Sequence, residues 1–221
     1  QMDAQQFVSS REEIPTGGGS CKVLGNAYSY SYQYKYIQEI RGEGNCFYRA
    51  LCFGHLESLL QKDRPLPCAF VECFGFQECA FAELLDEGID ENSFKYLLNM
   101  YVGVLEQCEA DEHGDTLLQL FNEQTTFDSM VQYLRLLTLA YLQNHSDFFS
   151  HFVEAPSLKV YCTQEVETMA MECDHIDILA LSEALDGQCL AHHTIPEGTQ
   201  PSLHLLYKTA HYDILYPHHC H

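Results

Sequence analysis

Basic residues are scarce in this chain of 221 residues: eleven lysines and arginines stand against thirty-two aspartates and glutamates, a formal charge of −21. A surface this acidic repels phosphate backbones, which argues against nucleic-acid binding through a basic patch and favours basic proteins or basic peptide tails as partners. Long apolar runs are missing as well. No stretch reaches the length of a transmembrane helix, so no membrane-spanning role is expected. Regular cysteine spacing is also absent: the eleven cysteines (21, 46, 52, 68, 73, 79, 108, 162, 173, 189, 220) are odd in number and unevenly placed. The start Gln1–Gln6 is polar and shows no secretory pattern, so reduced thiols in a cytoplasmic or nuclear protein are expected. Cys68, Cys73 and Cys79 form no Cys-x-x-Cys pair, and the terminal His218-His219-Cys220-His221 has no second ligand pair at finger-like spacing. Neither is read as a metal site, and no metal or organic cofactor is expected.

What is present is a substantial apolar fraction, 46% of the residues, enough for a packed core without disulfides. Residues 1–27 carry Pro15-Thr16-Gly17-Gly18-Gly19-Ser20 and little apolar periodicity, and are expected to form a flexible arm. Tyr28, Tyr30, Tyr32, Tyr34 and Tyr36 then fall on every second position, which is strand spacing. From Cys46 the apolar residues Ala50, Leu51, Phe53, Leu56, Leu59 and Leu60 follow a helical period, stopped by Pro65 and Pro67. Residues 78–87, 91–109 and 126–143 also read as helices, with shorter ones from Asp115 to about Phe121 and over Ser146–Val153. Asp174 is a candidate N-cap for a helix through Leu185, ended by Asp186-Gly187. Leu203–Tyr207 and His211–Tyr216 read as an antiparallel hairpin. The expected fold class is α+β, a helical layer on a small, mostly antiparallel sheet, with a domain over 28–217 and a tail at 218–221.

The chemistry concentrates in two places. Cys46 follows the turn Gly42-Glu43-Gly44 and opens a helix, where positive potential favours a thiolate and free amides can hold an oxyanion. His211 and Asp213, two apart on a strand, project to one face, so the carboxylate can bond one ring nitrogen and leave the other for Cys46. That set reads as nucleophile, base and orienting group of a cysteine hydrolase, with the backbone of Glu43, Gly44, Asn45 and Cys46 as oxyanion donors. Cys52 and His175 are read as structural. The acidic clusters Asp86-Glu87, Asp90-Glu91 and Glu109–Asp115 are read as solvated faces.

Gly42–Ala50 resembles the Gly-Asn-Cys-Phe-Tyr-Arg-Ala signature of the ovarian-tumour (OTU) cysteine proteases, specifically the otubains. The similarity continues in Phe121–Gln124, Tyr133–Thr138, Asp147–Phe152, Glu165–Met169, Glu172–Ile176 and Leu205–Tyr216. It implies a papain-like α+β fold and hydrolysis of the isopeptide bond after ubiquitin's C-terminal Gly-Gly, through a channel too narrow for larger side chains. By position it assigns Cys46 as nucleophile, His211 as general base and acid, and Asp213 as the residue that orients the histidine. It implies ubiquitin and ubiquitin conjugates as partners, with a ubiquitin-conjugating enzyme as a further one, and a monomeric enzyme. The alternative is a non-catalytic module that binds ubiquitin or a conjugating enzyme by sequestration. Three departures stand out: Glu43 takes the place of the family aspartate, the 186–195 connection is short, and residues 1–35 do not look like the family's helical arm.

Overall fold

Alternating apolar residues make strands near both ends of the chain, and helical repeats fill the stretch between. The computed structural model describes residues 5–14, 34–60, 88–111, 113–184, 203–208 and 210–218. Four strands form one antiparallel sheet: β1 (Glu12–Glu13), β2 (Tyr34–Gln38), β3 (His204–Lys208) and β4 (His211–Pro217), in the order β1-β2-β4-β3. Along β4 the pleat divides the apolar residues. Ile214 and Tyr216 enter the main core, whereas Leu215 turns to the other face and packs with Ile14 and Ile37.

The helices are α1 (Cys46–Leu59), α2 (Glu91–Glu109), α3 (Thr116–Phe121), α4 (Gln124–Asn144), α5 (Ser146–Phe149), α6 (Leu158–Tyr161) and α7 (His175–Ala184). A 3₁₀ turn, Ser150–Phe152, follows α5, and a π-type turn, Cys162–Val166, follows α6. Helix α1 packs on β4 at one side and α4 at the other, which is why its first nine residues, Cys46 to Gly54, are all buried. Helix α2 has one apolar stripe instead, Phe94, Leu97, Tyr101, Val104 and Leu105, and is capped by the Asp90 carboxylate accepting from the Ser93 amide at 2.9 Å.

Most sequence expectations have counterparts here. The helix expected over 91–109 has those bounds, the one over 126–143 starts earlier at Gln124 and ends at Asn144, and the terminal hairpin is present. Asp115 precedes α3, but the capping carboxylate is that of Asp111, which accepts from Thr116 N–H at 2.8 Å and His113 N–H at 2.9 Å. The expected helix over Ser146–Val153 is divided between α5 and the 3₁₀ turn. Asp174 accepts from the His175 amide at 2.6 Å at the start of α7. Of the alternating tyrosines, Tyr34 and Tyr36 lie in β2; Tyr28, Tyr30 and Tyr32, the helix expected over 78–87, Pro65, Pro67 and the 186–195 connection lie outside the described residues. Helix α6 and its π-type turn were not expected, because residues 156–166 lack a clean apolar period.

The expectation of a flexible arm over 1–27 needs correction. Residues 5–14 are docked: Val8 is fully buried and bridges Ile40, Arg41 N–H donates to the Phe7 carbonyl at 2.8 Å, and Ile14 N–H donates to the Lys35 carbonyl at 2.8 Å. The Asn122 side chain clamps the segment, accepting from the Phe7 and Val8 amides and donating to the Val8 carbonyl. With only Phe7, Val8 and Ile14 as anchors, such a segment is too short to show a period, yet backbone pairing holds it. Residues 15–27 lie outside the described residues.

Phe127 gathers this packing. It is fully buried, stacked on Phe7 at 5.0 Å, edge-on to Phe121, and 3.7 Å beneath the Arg49 guanidinium. Phe127→Ala is expected to lower the stability by about 3–5 kcal/mol, read as a lower urea midpoint at unchanged m.

Candidate active site

Strand β2 runs through Ile40 into the turn at Arg41–Asn45, and α1 begins at Cys46. The turn is closed by the Cys46 N–H donating to the Glu43 carbonyl at 2.9 Å, and the helix begins with Arg49 N–H to the Asn45 carbonyl at 3.0 Å. Cys46 is 4% exposed, and its Sγ lies 3.9 Å from the Ala210 carbonyl. Of the four expected oxyanion donors, the Cys46 amide is therefore already engaged. Among the described residues the Glu43, Gly44 and Asn45 amides make no hydrogen bond.

His211 arrives from the hairpin. Strands β3 and β4 close with Lys208 opposite His211, and between them Ala210 takes a left-handed φ of 59°. Asp213 follows on the same face. Its Oδ1 accepts from His211 Nε2 at 2.9 Å and from the Ile40 amide at 2.8 Å, so the β2 exit fixes the carboxylate that holds the ring. With Nε2 taken, Nδ1 is the nitrogen left for the thiol. It is buried without a hydrogen bond of ordinary length, and a Cβ on Gly42 would stand 3.6 Å from it. The Asp213 carboxylate first, and Cys46 second, push the imidazole up to about 10 against the opposing effect of its partial burial. Both neighbours thus favour the protonated ring.

Glu43 does not aim its carboxylate at the thiol. It pairs with the buried Arg49 guanidinium and accepts from Asn45 Nδ2 at 3.1 Å. Burial pulls Arg49 down to about 10 while Glu43 acts the other way, so the arginine keeps its charge. The extra methylene relative to an aspartate goes into this tie. On that side lies a cavity of about 430 Å³, lined by Phe7, Arg41, Glu43, Arg49 and Asp128 among others. On the thiol side the cleft is only about 50 Å³, walled by Gly44, Cys46, Cys173, Tyr207, Ala210 and Tyr212. Its narrowness suits a substrate with almost no side chain.

Sequence reasoning missed the support beneath the turn. Arg135 of α4 is 1% exposed and donates to the carbonyls of Val166, Gly44 and Met171 and to Asn45 Oδ1. Ala170, at φ 64°, donates its amide to the same Asn45 oxygen at 2.9 Å. The signal was an arginine inside the apolar run Tyr133–Ala140, since a cation on a buried helix face must find acceptors. Among the described residues Cys46, Cys52, Cys108, Cys162 and Cys173 form no disulfide, and no cluster of His, Cys, Asp or Glu could hold a metal ion. Cys52 is core, and His175 is exposed.

The otubain family, peptidase C65, matches residues 20–217. The chain belongs to that family. Among relatives of this otubain, ubiquitin thioesterase OTUB2 of Mus musculus is 44% identical over 201 residues, covering 84% of this chain and 83% of its own. The Homo sapiens OTUB2 gives the same figures, and OTUB1 of Rattus norvegicus is 41% identical over 197 residues, covering 83% of this chain and 71% of its own. The fold is also that of solved otubain structures. A complex of ceOTUB1 with ubiquitin aldehyde and UBC13~Ub matches at a TM-score of 0.82 and 24% identity, over 96% of this chain and 94% of that one.

The His211–Asp213 contact has a pH signature. A folded-state value raised from 6.5 to about 10 stabilises the fold fully below pH 6.5, and the contribution is lost as pH rises through about 10. Imidazole NMR of the parent should show a midpoint near 10. Asp213→Asn, which keeps an acceptor for Ile40 but loses the charge, should move that midpoint down towards the ordinary histidine value.

Proposed function

We propose that this otubain hydrolyses the bond after ubiquitin's C-terminal glycine with Cys46 as nucleophile, His211 as acid and base, and Asp213 as the orienting group. Membership of the family makes the chain a cysteine-type deubiquitinase; the proposal assigns the bond and the residues. The observation that carries it is an imidazole bonded by a fixed carboxylate, on the hairpin that closes over a cysteine at a helix start. The Cys46 thiolate attacks the glycine carbonyl, and the tetrahedral oxyanion is met by amides of the 43–45 turn. Collapse of the intermediate breaks the C–N bond, with the His211 imidazolium giving its proton to the departing lysine amine. The neutral ring then takes a proton from water, which attacks the thioester and releases ubiquitin and the thiolate.

Ubiquitin suits the rest of the molecule. Its Gly-Gly terminus fits the narrow cleft, and its basic tail would be drawn to a chain with a formal charge of −21. A ubiquitin-conjugating enzyme is the second partner of the proposal, supported by solved otubain complexes with UBC13~Ub and UBCH5B~Ub. Sequestration without cleavage is the competing reading, and the engagement of the Cys46 amide by Glu43 favours it.

Ubiquitin carrying a C-terminal thiol-reactive electrophile decides between them. The parent chain is expected to be labelled, Cys46→Ala not at all, and His211→Ala far more slowly. Binding of ubiquitin without labelling of the parent would leave sequestration, and the absence of both would remove ubiquitin from the function.

A further inference from the structure

Resting on the hydrolase reading above, we infer that Arg135 is a positioning residue for the oxyanion turn: it fixes the Gly44–Asn45 peptide so that its N–H faces the reacting carbonyl. The inference begins with a planar trans peptide, in which the C=O and N–H point in opposite directions. The Gly44 carbonyl points into the protein and accepts from Arg135 Nη2 at 3.4 Å. The Asn45 N–H at the other end of the same peptide therefore points away from the Arg135 guanidinium, and it makes no hydrogen bond within the described residues.

The guanidinium is itself fixed. Nη2 donates to the Met171 carbonyl at 2.7 Å and to Asn45 Oδ1 at 2.8 Å, Nη1 donates to the Val166 carbonyl at 3.0 Å, and the group lies 4.3 Å over the Tyr48 ring. It joins the turn to the segment between Val166 and Met171 while presenting one face to an aromatic surface. That segment closes on the turn from above. Ala170 adopts φ 64°, which costs free energy for a residue with a Cβ, and its carbonyl oxygen lies 1.7 Å from where a Gly44 Cβ would stand. Only glycine fits, and the Gly44–Asn45 peptide cannot rotate while Ala170 and Arg135 hold it from two sides. With the Cys46 amide engaged, the Asn45 donor matters more than it would in a four-amide cradle.

A general role in folding would impair every property of the site, whereas a positioning role spares reactions that form no oxyanion. Parent, Arg135→Lys, Arg135→Met and Asn45→Ala are compared in two assays. One is turnover of ubiquitin bearing a C-terminal fluorogenic amide, giving kcat and KM; the other is alkylation of Cys46 by iodoacetamide, followed by mass spectrometry. Iodoacetamide reacts by displacement at carbon and needs the Cys46–His211 pair but no oxyanion donor.

Arg135→Met is expected to lower kcat by about 100-fold, the size of losing one oxyanion donor, with KM within about threefold of the parent and alkylation within about twofold. Arg135→Lys, which keeps the charge but not the four-acceptor geometry, should fall between them. Asn45→Ala leaves the guanidinium bonded to three carbonyls and should lose about tenfold in kcat with the same spared alkylation. It decides the question if Arg135→Met does not fold. Loss of alkylation in step with kcat, or kcat within about twofold of the parent in the variants that fold, would overturn the inference. A parent that binds ubiquitin without turning it over would instead overturn the hydrolase reading on which the inference rests.

Discussion

The pairing of β2 with β4 is the constraint on which the rest of the site depends. Its register places Gln38 opposite Ile214, so the chain leaving β2 delivers the Ile40 amide to the Asp213 carboxylate. The same exit leads within a few residues to Cys46. A slip of one residue would turn His211 and Asp213 to the opposite face of the sheet and send Ile214 and Tyr216 out of the core. Burial of those two side chains therefore sets the register, and the register sets where the imidazole stands. Packing and chemistry are specified by the same few residues of one strand.

The site is also built around cations hidden from water in an acidic protein. Of eleven basic residues, Arg49 and Arg135 are each 1% exposed, and they flank the turn before Cys46 from two directions. Arg49 is matched by the Glu43 carboxylate and sandwiched against the rings of Phe7 and Phe127. Among the described residues no carboxylate is bonded to Arg135, which relies on backbone carbonyls and an amide oxygen. Both ties converge on the loop before Cys46, whose shape is otherwise kept by the Cys46-to-Glu43 backbone hydrogen bond. Large desolvation penalties make such groups stable only when their acceptors are in place, so the turn and its arginines order one another.

What could be read from sequence follows from how local each feature is. Helix α1, helix α2 and the terminal hairpin are periodic over many residues, and Cys46, His211 and Asp213 combine rare residue types with informative spacing. The docking of residues 5–14 depends on Asn122, more than a hundred positions away, and on unpaired sheet edges that leave no periodic trace. The left-handed Ala170 and the bonds of Arg135 are likewise long-range. Only the placement of a charged residue within an apolar helix hinted that a polar target lay opposite it. The engaged Cys46 amide was invisible too, because a turn residue's donor assignment depends on φ and ψ rather than on side-chain identity.

The strand pairing at Glu13 and Tyr36, together with the Ile14-to-Lys35 hydrogen bond, brings the two ends of residues 15–33 side by side at the sheet edge. A closed loop of this kind has an entropy that rises only with the logarithm of its length, about 0.6 kcal/mol for each doubling. Insertions or deletions between the two anchors therefore cost little and leave the turn before Cys46 almost untouched. In evolutionary terms the sheet edge acts as a socket: the length of chain between its two anchors can change without renegotiating the core.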